Sequence, residues 1–228
     1  MGNTLVKICG LQDVEVLKYM NNLPVDYIGF VFAKSRRQVS LDTAAILVPQ
    51  LSKWQNETTP ESVGVFVNPT MEQLSEVMDR VSLDVIQLHG QEKPEFCRQV
   101  KQAFGVKIFK VIQIQGTEDA SDDSNSDIET ALQEYIGVID AVLLDTFDPV
   151  HGGGSGKTFA WEQITRYQAW SHRKGLPLWI AGGLDSDNVE GLLELYQPDG
   201  VDVSSGVESN GIKDIEKIKI FVERVKGL

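Results

Sequence analysis

Short apolar runs alternate with amphipathic segments along the whole chain. Eight of these runs are rich in β-branched or other apolar residues, which predicts β-strands. They are LVKIC (5–9), YIGFVF (27–32), SVGVFV (62–67), DVIQLH (84–89), VKIFKVIQI (106–114), AVLLDT (141–146), PLWIAG (177–182) and GVDVSS (200–205). Between the runs, apolar residues recur every three to four positions, which predicts helices. Examples are Met71, Leu74, Val77 and Met78 in one segment, and Ile212, Ile215, Ile218 and Phe221 in the last.

The regular alternation of strand and helix predicts a fold of the α/β class with parallel strands and right-handed crossovers. Eight such units favour closure into a TIM (β/α)8 barrel, with an open doubly wound sheet as the alternative. A chain of 228 residues suits a single barrel. We therefore expect residues 1–228 to form one catalytic barrel domain. An acidic, serine-rich stretch near 116–127 is expected to be a solvated loop after the fifth strand.

The charge balance narrows the choice of partners. The formal net charge is −12, from 21 Lys and Arg against 33 Asp and Glu, so nucleic acid is not an expected partner. A small anionic substrate remains compatible, because local cations and backbone N–H groups bind phosphate whatever the net charge. The sequence has no signal peptide, no apolar run of about 18 residues and only two cysteines. We therefore expect a cytoplasmic protein with free thiols and no membrane contact. We also expect it to be a monomer or a homodimer.

The polar residues that close the apolar runs are the candidates for chemistry, because the active site of such a barrel forms at the carboxyl ends of its strands. Glycine clusters follow the sixth, seventh and eighth runs, and loops after the last two strands commonly hold a phosphate. Ordinary turns are the alternative reading of each cluster. The predicted phosphate-binding residues are Gly154, Ser155, Gly156, Gly182, Gly183, Ser204, Ser205 and Gly206. A nucleotide-binding P-loop is not predicted, because its first glycine is replaced by His151.

Lys7 and Cys9 share one side of the first strand, since side chains alternate with period two, and both are expected to face the barrel interior. A buried ammonium needs a partner. Asp202 on the eighth strand becomes a neighbour once the barrel closes, so we predict a contact between Lys7 and Asp202. A lone cysteine is more often a small buried hydrophobe than a nucleophile or base, but the position of Cys9 at the catalytic end favours a functional role. Cys97, inside a helical pattern, is expected to be a packing residue.

Three further side chains are candidates at the barrel mouth. Asp145 ends an apolar run, where burying a carboxylate costs free energy unless the group is functional, solvated or paired. The alternative is that Asp145 caps the next turn. Arg37 is either a surface charge or a bidentate ligand for a carboxylate, with Arg36 as the less favoured twin. His89 suits either an acid–base role or the orientation of a backbone group.

Several strings in fixed order resemble the phosphoribosylanthranilate isomerase family of tryptophan biosynthesis. They are KICG (7–10), GFVFAKSRRQVS (29–40), VGVFVN (63–68), QLHG (87–90), LLDT (143–146), GGSGKTFAW (153–161), AGGLDSDNV (181–189) and GVDVSSGVE (200–208). The resemblance runs from end to end of the chain. One departure is the loop after Asp145, which is one residue longer than usual and leaves open which of Gly152, Gly153 and Gly154 approaches the phosphate.

The resemblance implies an Amadori rearrangement of N-(5'-phosphoribosyl)anthranilate to 1-(2-carboxyphenylamino)-1-deoxyribulose 5-phosphate, without a metal or cofactor. It implies that Asp145 is the general acid, that Cys9 is the general base and that Arg37 holds the substrate carboxylate. Lys7, His89 and Asp202 are expected to support them. Cys9 then has to form a thiolate while Asp145 keeps its proton.

Two rival functions remain open at this point. One is another phosphate-binding barrel of tryptophan or histidine biosynthesis; the sugar isomerase of histidine biosynthesis resembles a barrel with an aspartate at the end of the first strand, where this chain has Cys9. The other is a barrel that binds a phosphorylated ligand without turning it over.

Overall fold

The computed structural model of the protein describes residues 4–114, 125–146 and 161–227. Eight strands form the central sheet: β1 (Leu5–Cys9), β2 (Tyr27–Val31), β3 (Glu61–Phe66), β4 (Val85–Leu88), β5 (Lys107–Ile114), β6 (Ala141–Thr146), β7 (Leu178–Ile180) and β8 (Gly200–Val203). The α-helices are α1 (Val14–Tyr19), α2 (Leu41–Leu47), α3 (Met71–Met78), α4 (Pro94–Phe104), α5 (Asn125–Leu132), α6 (Ile164–Lys174), α7 (Val189–Tyr196) and α8 (Ile215–Lys226).

The eight strands form a closed parallel barrel in chain order, in which β1 pairs with β8. Closure confirms the predicted (β/α)8 fold in a single domain and rules out the open sheet. In the closing register Leu5 lies opposite Gly200 and Lys7 lies opposite Asp202. The helices cover the outer face, so the strands are buried on both faces, which explains why their sequences are nearly continuous apolar runs.

Two strands differ from their predicted extent in a way that bears on the site. The runs were predicted to extend to residues 182 and 205, but β7 ends at Ile180 and β8 at Val203. The residues beyond these ends turn away from the sheet. Gly182 and Gly183 both have positive φ, of 85° and 65°, which an extended strand does not allow. The glycine and serine clusters are thus loop segments at the barrel mouth.

The prediction that Ile212 belongs to the last helix was wrong. Ile212 lies in a short antiparallel hairpin formed by β9 (Glu208–Ser209) and β10 (Ile212–Lys213), and its side chain is exposed. The turn is Asn210-Gly211, with φ of 53° and 80°, the pairing that a two-residue hairpin turn requires. Helix α8 begins only at Ile215, where the Asp214 side chain accepts hydrogen bonds from two backbone N–H groups of the first turn.

The acidic stretch near 116–127 was expected to be a loop throughout. Its last three residues instead begin α5 at Asn125. Residues 116–124 of this prediction lie outside the described part of the chain. The α5 helix packs beside α6, where Arg173 and Lys174 form ion pairs with Glu129.

Apolar residues form one core between the barrel and the helices and a second core inside the barrel. The inner core includes Tyr27, Phe109 and Trp179, whose ring centroids are 5.2 to 5.5 Å apart. Gly200 makes room for the indole, because a Cβ at that position would collide with the Trp179 ring. The inner core also includes Cys9 and Ala181. Among the described residues, no helix is long and apolar enough to cross a membrane.

Candidate active site

A cavity of about 740 Å³ opens at the carboxyl ends of the strands. This size is in the range of small-molecule sites. The predicted residues that line it come from six strand ends or the loops after them: Cys9, Arg37, His89, Asp145, Gly182, Gly183, Asp202, Ser204 and Ser205. The structure therefore brings together residues that are up to 196 positions apart in the chain. Gly154, Ser155 and Gly156 lie outside the described residues.

Cys9 ends β1 and is 7% exposed. Its Sγ lies against Gly29 of the neighbouring strand, where an added Cβ would be 2.7 Å from the sulfur. Burial raises the pKa of the thiol above its ordinary value. Lys7 and Lys213 act in the opposite direction, whereas Asp202 adds to the increase. The net direction is upward, so the surroundings as a whole favour the neutral thiol, while Lys7 and Lys213 favour the thiolate.

Lys7 lies inside the barrel directly below Cys9 and is fully buried. Its Nζ donates a hydrogen bond to Asp202 Oδ2 at 2.7 Å, which confirms the predicted contact. Burial lowers the pKa of Lys7, but Asp202 and Cys9 outweigh it, so the net direction is upward and the ammonium is retained. Lys7 does not line the cavity, and its influence on the cavity passes through Cys9 and Asp202.

Asp145 is 4% exposed and lies at the end of β6. Its Oδ2 is 3.1 Å from His89 Nε2, which follows β4. The orientation of the ring in this contact is not that of a hydrogen bond. On its other side, His89 Nδ1 lies 3.4 Å from Gln87 Nε2. His89 thus contacts the candidate acid directly.

The segments after β7 and β8 pack against each other at the barrel mouth. A Cβ on Gly206 would collide with the Leu184 carbonyl oxygen, so glycine is required for this close approach. Gly206 itself does not line the cavity, unlike Ser204 and Ser205. The Ser204 hydroxyl donates a hydrogen bond to the Cys9 carbonyl oxygen at 3.1 Å, which ties this loop to the end of β1.

Arg37 faces the cavity, whereas the side chain of Arg36 is 59% exposed and does not line it. Both guanidinium groups bind Glu208, a residue that sequence reasoning did not single out. Arg37 Nε donates to Glu208 Oε1 at 2.6 Å and Arg37 Nη2 donates to Oε2 at 3.1 Å. Glu208 also accepts from Lys213 Nζ at 2.8 Å.

Sequence reasoning missed Gln87, which lines the cavity, and the pair Glu208 and Lys213, which lies beside it. Glu208 and Lys213 face each other across the β9–β10 hairpin. The Asn210-Gly211 dipeptide between them is a strong hairpin signal, and Glu208 closes the string GVDVSSGVE. The hairpin was overlooked because Ile212 fitted the helical spacing of the following segment.

Within the described residues, no group of three or more His, Cys, Asp and Glu side chains is arranged to hold a metal ion. The protein is a closed parallel barrel whose cavity is lined by a thiol, a carboxylate and two glycine- or serine-rich loops. These features place it in the class of single-domain (β/α)8-barrel enzymes.

The comparisons with known proteins identify the family. The family model for N-(5'-phosphoribosyl)anthranilate isomerase matches residues 6–224. N-(5'-phosphoribosyl)anthranilate isomerase of Brevibacillus brevis is 47% identical over 224 residues, which cover 98% of this chain and 94% of the relative. The crystal structure of phosphoribosylanthranilate isomerase from Thermotoga maritima is 36% identical with a TM-score of 0.80, covering 99% of this chain and 100% of that chain.

A further solved structure shows a phosphoribosylanthranilate isomerase in complex with reduced 1-(o-carboxyphenylamino)-1-deoxyribulose 5-phosphate. It is 32% identical to this chain with a TM-score of 0.76, covering 99% of this chain and 100% of that chain. The chain belongs to the phosphoribosylanthranilate isomerase family.

Proposed function

We propose that this protein catalyses the Amadori rearrangement of N-(5'-phosphoribosyl)anthranilate to 1-(2-carboxyphenylamino)-1-deoxyribulose 5-phosphate in tryptophan biosynthesis, by general acid–base catalysis. The observation that carries the proposal is that Cys9 and Asp145 line one cavity beside the segments after β7 and β8. The cysteine at the end of β1 distinguishes this site from that of the sugar isomerase of histidine biosynthesis, in which an aspartate is expected at the same place.

Asp145 supplies the first proton. It protonates the furanose ring oxygen while the bond from C1' to that oxygen breaks, and the nitrogen lone pair forms a C1'=N double bond, giving an iminium ion. Asp145 lines the cavity and is only 4% exposed, so its carboxyl group has little contact with solvent. His89 contacts the carboxylate at 3.1 Å, and we assign it a supporting role.

Cys9 completes the reaction as the base. Its thiolate removes the proton on C2', the electrons of that C–H bond form a C1'=C2' double bond, and the iminium nitrogen becomes neutral. The enolamine then tautomerises to the ketone. The positive charges of Lys7 and Lys213 stabilise the thiolate, and the iminium ion adds a third positive charge at the moment when the base is needed.

The rest of the cavity supports the binding of a phosphorylated sugar with an aromatic carboxylate. We assign the phosphate to the segments after β7 and β8 and the substrate carboxylate to Arg37. Gln87 and Asp202 also line the cavity, and Gln87 Oε1 and Asp202 Oδ1 are buried without a hydrogen-bond partner among the described residues. Sugar hydroxyl groups are suitable donors for such acceptors.

The decisive test uses the variants Cys9→Ala and Asp145→Ala. Each should lower kcat by about 10² to 10⁴, because acid–base assistance typically contributes that much per group. Binding of the reduced product analogue should change little. Turnover is followed by generating phosphoribosylanthranilate in place and recording the loss of its fluorescence above spontaneous decay. Cys97→Ala, which removes the other cysteine, is the control and should remain active.

Full activity in either variant would refute the assigned roles. Tight binding of the analogue by the unmodified protein without any turnover would instead support a barrel that only binds its ligand.

We also propose that the protein works in the cytoplasm as a monomer or a homodimer. Both cysteines are free and buried, which suits a reducing compartment. Light scattering coupled to gel filtration distinguishes the two assemblies, and a larger oligomer would contradict the proposal.

A further inference from the structure

Glu208 forms the centre of a buried charge cluster beside the cavity. Its side chain is 4% exposed, and both of its oxygens are occupied. Oε1 accepts from Arg37 Nε at 2.6 Å and from Lys213 Nζ at 2.8 Å. Oε2 accepts from Arg36 Nη2 at 2.8 Å and from Arg37 Nη2 at 3.1 Å. The mechanism above gives this carboxylate no role.

Glu208 is held in place independently of Arg37. It lies on β9, which pairs with β10 and returns through the tight Asn210-Gly211 turn. Its carbonyl oxygen accepts a hydrogen bond from Lys217 Nζ at 2.8 Å. Lys213 Nζ, besides binding the Glu208 carboxylate, donates to the Ser204 carbonyl oxygen at 2.8 Å. The carboxylate is therefore anchored to the hairpin, to α8 and to the segment that follows β8.

Arg37 depends on Glu208 for the direction of its guanidinium group. The aliphatic part of Arg37 lies against Gly10, where an added Cβ would be 2.6 Å from Arg37 Cδ. An arginine has five N–H donors, and Glu208 takes one from Nε and one from Nη2. The other three form no hydrogen bond within the described residues, and two of them on neighbouring nitrogens are enough for a bidentate grip on a second carboxylate.

The charges of the cluster favour a second carboxylate. Three cations, Arg36, Arg37 and Lys213, contact the single negative charge of Glu208. Burial of Glu208 disfavours its ionisation, but Arg37 and Lys213 outweigh this and hold the pKa of Glu208 below its usual range. Glu208 therefore stays charged at neutral pH, and the cluster keeps a positive excess.

We propose that Glu208 is a positioning residue for substrate recognition: anchored by Lys213 on the β9–β10 hairpin, it fixes the Arg37 guanidinium so that its remaining N–H groups face the carboxylate of the substrate. This inference rests on the proposed role of Arg37. It assigns to the hairpin the task of selecting substrates that carry a carboxylate.

The test compares two ligands in the variant Glu208→Gln. One ligand is reduced 1-(o-carboxyphenylamino)-1-deoxyribulose 5-phosphate, and the other is its phenylamino counterpart, which lacks the carboxylate. By calorimetry, Glu208→Gln should weaken the first by about tenfold, as expected when a buried charge pair is uncoupled, and the second by less than about twofold. In turnover, KM should rise while kcat changes little, because the lost interaction is a binding interaction.

Two further variants complete the comparison. Glu190→Gln removes a surface carboxylate that is paired with Arg224 at 3.2 Å, and it should leave both affinities unchanged. Arg37→Ala should also weaken only the ligand with the carboxylate, and adding Glu208→Gln to it should have no further effect. If Glu208→Gln does not fold, Glu208→Asp, which keeps the charge but shortens its reach, should show a smaller loss with the same ligand preference.

The outcomes separate the two hypotheses. Equal weakening of both ligands by the Glu208 variant, or no weakening of either, would overturn the positioning role. If Arg37→Ala fails to discriminate between the ligands, the assigned role of Arg37 itself is wrong. If Arg37→Ala discriminates and Glu208→Gln does not, Arg37 still binds the carboxylate but Glu208 does not position it.

Discussion

Two opposing effects act on the ionisation of the Cys9 thiol. Burial favours the neutral form, and Lys7 and Lys213 favour the thiolate. Burial has the larger effect, so the pKa of the proposed general base lies above its ordinary value. Gly29 contributes to this environment, because it lets the β2 backbone approach the sulfur. The cost of forming the buried thiolate should fall further when a positive charge develops on the substrate.

We expect the ionisation of Cys9 to be observable by alkylation. In a Cys97→Ala background Cys9 is the only cysteine, and iodoacetamide reacts with the thiolate alone. The rate should reach half of its maximum above about pH 8.5, the ordinary value for a thiol, because burial raises the pKa. A variant that lacks both cysteines gives the background rate. A midpoint below the ordinary value would mean that the lysines dominate over burial.

At the scale of elements, strand ends and the loops that follow them line the cavity together. β7 and β8 show this most clearly, since they stop before the segments that line the cavity. Helix α4 has a different task. It contributes Cys97 to the core outside the barrel, where the residue is fully buried. The second cysteine is therefore a packing residue, as predicted.

The burial of Cys97 makes α4 a source of alkaline instability. Burial raises the pKa of Cys97 to about 11. A group whose pKa is higher in the folded state contributes stability that is complete below its unfolded pKa, about 8.5, and that is lost as the pH rises through the folded value. Between these limits the free energy of unfolding should fall by about 3 kcal/mol because of Cys97.

Urea denaturation at several pH values measures this effect. The free energy of unfolding of Cys97→Ala should start lower at neutral pH, because the substitution leaves a small cavity, but it should decline less towards alkaline pH. Parallel curves for the two proteins would contradict the prediction.

At the scale of the whole molecule, the pair Lys7–Asp202 joins the first strand to the last. The residues face each other in the register that closes the barrel, and the bond is 2.7 Å long. Removing one partner of a buried pair leaves an uncompensated charge. The pair therefore couples the first strand to the last, and both residues also influence the pKa of Cys9.

A double-mutant cycle tests this coupling. Lys7→Met and Asp202→Asn should each destabilise the protein by about 3 kcal/mol or more, and the double variant should lose less than the sum, with a coupling of about 1 to 3 kcal/mol. The exposed pair Arg80–Asp42, 2.6 Å apart, is the control. Its coupling should stay below about 1 kcal/mol, because exposed ion pairs contribute little. Additive effects of Lys7→Met and Asp202→Asn would show that the two residues act separately.

Features that depend on local pattern could be predicted from the amino-acid sequence. The eight strands, the closed barrel and the Lys7–Asp202 contact followed from alternating side chains and from the rule that the first and last strands of a barrel are neighbours. Polar residues at the strand ends likewise indicated where the cavity lies, because parallel strands bring all their carboxyl ends to one side.

How these groups affect one another follows from their positions in the folded protein. Arg37 lines the cavity and Arg36 does not, although both bind Glu208, which is 171 residues from Arg37 and lies on a hairpin that helical spacing concealed. The direction of the Cys9 pKa likewise depends on the balance between burial and charges that come from three different strands. Charge interactions and desolvation are set by distances in space, and the spacing of residues along the chain does not contain them.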